Sequence, residues 1–312
     1  RFPVVFACDS IISRHTEKFK RMDKMSVAML TDTNSGITVD EGNRRGIFVI
    51  PMPVIVDGRE YSEGESITHA ELYSFIREKK DVTTSMPSPQ TLCDMWSKLL
   101  EDHDEVVYIP MSSKLSNSCG TAAAFAENYG GRVFVADSRS ISVTLRECVL
   151  DGKSLADRGC TGAEIKSTLE TNSHRAAIYV AVDSLEYLRK SGRVSYAAAA
   201  FANVLNIKPV LTIQGGKLEP YAKVRGIKKC MSVMIKAVAD DLRTRFSYVP
   251  RERLAIGTAG TLENEDDARQ WLESVEAAFP DIKVHYEPLS CSIACHVGMN
   301  ALGIAISETE PR

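Results

Sequence analysis

The chain is 312 residues long, with 44% hydrophobic and 25% charged residues and a formal net charge of −3. That length exceeds what a single core usually organises, so two domains are expected, and the ordinary globular composition argues against disorder or a fibrous repeat. The slightly acidic balance provides no broad basic field for nucleic acid, and no stretch approaches the roughly 20 apolar residues that would insert stably in a membrane.

Residues 1–25 carry no clear element, and the chain opens on Arg1 rather than Met. They read as an N-terminal extension, or as the remnant of a preceding module in a longer polypeptide. From Val27 onward short apolar runs alternate with helical patterns, which argues for βαβ units and a parallel sheet. Residues 27–31, 47–56, 106–109 and 133–136 are predicted strands. Thr68 with Glu71 makes a capping box, Ser88 followed by Pro89 marks a helix start, and Thr161 with Glu164 opens a helix toward Glu170. The polar segment 171–175 marks a boundary, giving an α/β domain over 26–172 and a mixed α/β domain over 173–308. In the second half, 176–182 is a strand, and 211–214 and 218–224 flank Gly215-Gly216 as a hairpin, since paired glycines tolerate a tight primed turn. Helices are expected over 227–246 and 263–279, and strands over 254–257 and 284–287. Gly257-Thr258-Ala259-Gly260 reads as a turn after a strand that could face an anion.

Several enzyme signatures are absent: there is no GxxxxGK[ST] phosphate loop, GxGxxG fingerprint, HExxH or GxSxG elbow. The eight cysteines form no CxxC pair, which suggests buried thiols in a reducing cytoplasm, with neither a disulfide nor a metal site expected. Two hydroxyl-rich loops carry the most information. Thr83-Thr84-Ser85 precedes the Ser88-Pro89 helix start, and Ser112-Ser113-Lys114-Leu115-Ser116-Asn117-Ser118 joins a strand to the next helix. Loops at the carboxyl ends of parallel strands line ligand crevices, and helix N-termini with added hydroxyls suit a carboxylate or phosphate. Each loop can also be read as ordinary helix capping. His296, in a short apolar setting, is either a core histidine or a functional one. Asp32 and Asp137 read as caps.

In their order, these motifs resemble the DegV family. The resemblance is carried by Thr31-Asp32-Thr33, Thr83-Thr84-Ser85-Met86-Pro87-Ser88-Pro89, Ser112-Ser113-Lys114-Leu115-Ser116, Val135-Ala136-Asp137-Ser138, and the run from Leu185 to Arg193. It continues through Asn206-Ile207-Lys208-Pro209-Val210-Leu211-Thr212, Lys223-Val224-Arg225-Gly226, and His296 with Gly298, Ala301, Leu302 and Gly303. The family usually has Gln where Met86 stands, and Gly-Thr where Asn117-Ser118 stands.

The resemblance implies a two-domain α/β protein of the EDD fold that binds a long-chain fatty acid, palmitate- or stearate-like, between its domains and needs no cofactor. It further implies a carrier without catalysis of its own, presenting the carboxylate to an ATP-binding fatty acid kinase subunit for acyl-phosphate formation. Thr84, Ser85, Ser113, Ser116, Asn117 and His296 are then expected at the carboxylate, and Arg189, Arg193 and Arg225 are expected to face the partner or brace the domain interface. Two alternatives remain at this point: a serine-dependent acyl hydrolase or transferase, with Ser116 or Ser85 as nucleophile and His296 as base, and a lipid-sensing module of a larger polypeptide.

Overall fold

The computed structural model describes residues 25–194, 208–214 and 217–311. The first sheet is parallel throughout, in the order β2-β1-β6-β7: β1 (Val27–Asp32), β2 (Ile47–Ile50), β6 (Glu105–Ile109) and β7 (Val133–Val135). Its strands are short apolar runs because both faces are covered, as parallel sheets require. One face packs on α3 (Pro89–Asp102) and α4 (Ser118–Ala126), and the other on α5 (Val143–Arg158) and α6 (Gly162–Thr171). The predicted starts are observed: the Thr68–Glu71 capping box opens α2 (His69–Arg77), Ser88 caps α3 with Pro89 in its first turn, and Thr161–Glu164 opens α6.

The single strand expected over 47–56 is two strands in different sheets. Pro51 and Pro53 bracket Met52, and neither can donate to a ladder, so β2 ends at Ile50 and the chain turns. β3 (Pro53–Val56) instead joins a small antiparallel sheet, β4-β3-β5, with β4 (Arg59–Ser62) and β5 (Val82–Thr84). The β3–β4 turn is Asp57-Gly58, both at positive φ (48° and 81°), as a tight primed hairpin demands.

The second sheet is mixed and has six strands in the order β10-β9-β8-β13-β11-β12. Its strands are β8 (Ala176–Ala181), β9 (Lys208–Ile213), β10 (Glu219–Val224), β11 (Leu254–Gly260), β12 (Lys283–Pro288) and β13 (Leu302–Glu308). The expected hairpin is the antiparallel β9–β10 pair; its two glycines lie outside the described residues. Gly257–Gly260 is not a turn facing an anion. It lies inside β11, which pairs with β12 on one side and β13 on the other, so its backbone is already engaged. One face of this sheet is covered by α8 (Ile227–Arg243) and α9 (Glu265–Ala278), whose Met234, Val238 and Trp271 pack on Tyr179, Ile256 and Ile304. The other face looks toward the parallel-sheet domain across α5, which touches β1 and β6 as well as β11 and β13. The short helices α7 (Glu186–Ser191) and α10 (Cys291–Val297) pack together beside this face.

Candidate ligand-binding site

The period of two along the mixed sheet determines what faces the gap between the sheets. In β8, Ala177, Tyr179 and Ala181 point to the helix-covered core, while Ile178 and Val180 face the gap. On the adjacent strands β11 and β13 the gap-facing residues are small: Gly257 and Ala259 in β11 stand opposite Ala305 and Gly303 in β13. At Gly257 the missing side chain admits α5, since a Cβ there would fall 2.4 Å from Val143 Cβ. At Gly303 nothing fills the space, and the nearest atom to a notional Cβ is 3.7 Å away. The result is a cavity of about 290 Å³, near the lower end of the usual range for small-molecule sites. Its apolar wall includes Ile178, Val180, Ile213, Leu218, Ile293 and Val297.

Polar residues line the cavity where the loops of the parallel-sheet domain meet α10. Helical spacing puts Ser292 and His296 four residues apart on the cavity side of α10, with Ile293 and Val297 beside them. The ends of β5 and β6 deliver Thr84, Ser85, Ser116 and Asn117. His296 Nε2 lies 2.9 Å from Thr84 Oγ1, while its Nδ1 is buried without a hydrogen-bond partner. Ser116 Oγ accepts from Ser118 N–H at 3.1 Å at the start of α4. Five of the six residues expected at an anion therefore line one cavity. The sixth, Ser113, does not: its hydroxyl and backbone N–H both donate to Asp137 on an exposed loop.

Arg193 belongs to the cavity wall, where it is the sole formally charged side chain among the described residues. The sequence pattern places it at a partner surface or at the domain interface. Arg189, on α7, and Arg225, between β10 and α8, are exposed and away from the cavity. Sequence reasoning missed Asn34, Ser142 and Ser292. Asn34 Oδ1 accepts from the hydroxyls of Ser290 and Ser292, tying the end of β1 to α10. Its Nδ2 donates to Asp32, which also caps the turn after β1 through Asn34 N–H at 2.9 Å.

Burial dominates the titration behaviour of this region. Asp32 is fully buried, which pushes its carboxyl up to about 6 despite three hydrogen bonds to it. Burial, and secondarily the charge of Arg193, pushes His296 down to about 4, so it is neutral at pH 7. The unfolded chain takes up the histidine proton near pH 6.5 and the folded one only near 4. His296 therefore supports folding above pH 6.5, and that support is lost as pH falls through this window. Between pH 8 and pH 5 the wild type should lose about 2 kcal/mol more unfolding free energy than His296→Gln. Asp32 acts in the opposite sense in both proteins and cancels in the comparison. Urea titrations at the two pH values check this, and parallel losses would contradict it.

A family model described as "Uncharacterised protein, DegV family" matches residues 26–309. A DegV domain-containing protein of Deinococcus radiodurans is 31% identical over 284 residues, covering 90% of this chain and 98% of the relative. Among solved structures, a fatty-acid-binding DegV family protein from Thermus thermophilus is 29% identical, with a TM-score of 0.81 over 91% of this chain and 100% of its own. A Thermotoga maritima protein described as revealing fatty acid binding function is 26% identical, with a TM-score of 0.76 over 91% of this chain and 99% of its own. The parallel-sheet and mixed-sheet domains are those of the EDD fold of these relatives. With the family model spanning nearly all described residues and relatives matched almost end to end, the chain belongs to the DegV family.

Proposed function

We propose that this chain binds a fatty acid, with its tail in the hollow over β11 and β13 and its carboxylate at the Arg193–Thr84–His296 end. The observation that carries this reading is the single formal charge on an otherwise apolar, hydroxyl-edged cavity. A buried carboxylate needs a counter-charge and hydrogen-bond donors, and a tail needs apolar walls. Of the two histidine tautomers, the one protonated on Nε2 avoids leaving a buried N–H unpaired at Nδ1, and orphaned donors are the rarer case. His296 then donates to Thr84 Oγ1, and the Thr84 hydroxyl hydrogen is free for the ligand. The same pairing disfavours the hydrolase alternative. His296 meets a threonine rather than Ser85 or Ser116, and a ring held down to about 4 is a poor base at neutral pH.

In this reading the chain is a carrier in the bacterial cytoplasm, and an ATP-binding kinase subunit phosphorylates the presented carboxylate. The exposed Arg189 and Arg225 are its partner-facing cations, whereas Arg193 serves the ligand. Mass spectrometry of lipid extracted from the denatured protein is the direct test, and finding no fatty acid would sink the reading. Thr84→Val keeps the shape and removes the donor, so affinity for a fatty acid should fall about ten- to a hundredfold, the worth of a hydrogen bond to a charged group. The matching fatty alcohol should lose much less. Equal losses would take Thr84 out of the carboxylate site.

A further inference from the structure

On the far side of α10 from the cavity, three side chains from separate segments converge. Glu63 follows β4, His69 is the first residue of α2, and Cys291 is the first residue of α10. A carboxylate oxygen of Glu63, a ring nitrogen of His69 and the thiol sulfur of Cys291 all lie within 4.8 Å of one another. Glu63 is 6% exposed, and no lysine or arginine among the described residues pairs with it. Its nearest cationic candidate is His69, at 4.0 Å. Its two oxygens accept instead from the Thr33 hydroxyl and the Cys291 backbone N–H. The Leu289 carbonyl is 2.9 Å from His69 Nε2, adding an oxygen donor at the same point. His69 is partly exposed, which leaves a route from solvent.

Carboxylate, imidazole and thiol together are the donor set that zinc takes in proteins. We propose that Glu63, His69 and Cys291 form a zinc site that clamps the first turn of α10 to β4 and α2. Ligand bonds of roughly 2.0–2.3 Å set tetrahedral donors about 3.5 Å apart, so the side chains close by about an ångström. A water or the Leu289 carbonyl completes the shell. His69 binds as the neutral ring through Nε2, with its proton on Nδ1, and gives up its contact with Leu289. Cys291 releases its thiol proton to solvent, and Glu63 releases one where it carries one, so binding strengthens as pH rises. Since His296 lies five residues beyond Cys291 on the same helix, the clamp fixes the part of the fold that carries it.

The test uses the full chain, untagged and stripped with chelator, titrated with cobalt(II) as the optical probe and then with zinc. The site predicts one cobalt per chain with a thiolate-to-cobalt absorption band, displaced by zinc. The band should vanish in Cys291→Ser, and affinity should fall at least about tenfold in His69→Ala. Zinc should raise the melting temperature of the wild type but not of His69→Ala. If Cys291→Ser fails to fold, His69→Ala decides alone, because its side chain is partly exposed and the helix start is capped by Thr68. A wild type that binds cobalt without a thiolate band, or no more tightly than His69→Ala, overturns the proposal.

Discussion

Replacing Arg146 with alanine should lower the unfolding free energy by about 3 to 5 kcal/mol, the usual cost of stripping one partner from a buried ion pair. Arg146 sits on α5 with its side chain 9% exposed. Its guanidinium forks onto both oxygens of Glu41 on α1 (Val39–Arg45), and its Nε lies 3.4 Å from Glu287 on β12. The pair thus ties the parallel-sheet domain to the mixed sheet through the helix they share. Burial alone would raise the Glu41 carboxyl, yet hydrogen bonds from Arg146 and Arg45 hold it below the usual carboxylate range. Without Arg146, Glu41 and Glu287 repel each other and keep Arg45 as the cation acting on both. Arg146→Lys should recover part of the loss, since it restores the charge but not the fork. A fall in the urea midpoint at unchanged slope is the expected readout. A loss under 1 kcal/mol would class the group with solvent-screened pairs. Val143, three residues earlier, lines the cavity, so ligand retention should fall with stability.

The same helix shows why part of this fold was hidden in the sequence. The capping boxes at Thr68 and Thr161, and the Ser88-Pro89 start, were legible because a cap is a local contract between residues three apart. α5 was not predicted. Its buried positions include Arg146, Glu147 and Asp151, so it is covered on more than one side and shows no apolar stripe. β13 was likewise missed as a strand, although it is central in the mixed sheet. It is buried on both faces, and its Leu302-Gly303-Ile304-Ala305-Ile306 run alternates in size rather than polarity. Among the site residues, the hydroxyl loops were visible as helix-start chemistry. The placing of Arg193 on the cavity wall and of Ser113 outside it depends on side-chain direction, which no spacing encodes. Glu63, His69 and Cys291 are more than 200 positions apart at the extremes and become neighbours only when α10 docks on the small sheet.

The alternation of size in β13 leads to the largest expected effect on ligand binding. Gly303→Leu should cost a long-chain fatty acid about 3 kcal/mol of affinity, more than a hundredfold, while leaving the empty protein as stable as before or more so. Gly303 lines the cavity, its carbonyl receives the Trp271 indole N–H at 3.0 Å, and a Cβ there meets nothing closer than 3.7 Å. The substitution therefore keeps the backbone bond, its Cβ meets only ordinary contacts, and the rest of the side chain extends into the cavity. A leucine side chain has four carbons and displaces roughly as many methylenes of the tail, each worth about 0.8 kcal/mol when buried. Glycine also weakens a strand interior, so adding a side chain favours the strand itself. Shorter acyl chains, which stop before the obstruction, should bind nearly as they do to the wild type. The crossover in a chain-length series, measured by competition against one fluorescent fatty acid, would then mark how many carbons lie between the carboxylate and β13. A uniform loss across all lengths would instead mean that Gly303→Leu had disturbed the carboxylate end, and unchanged binding at every length would place the tail somewhere other than over β11 and β13.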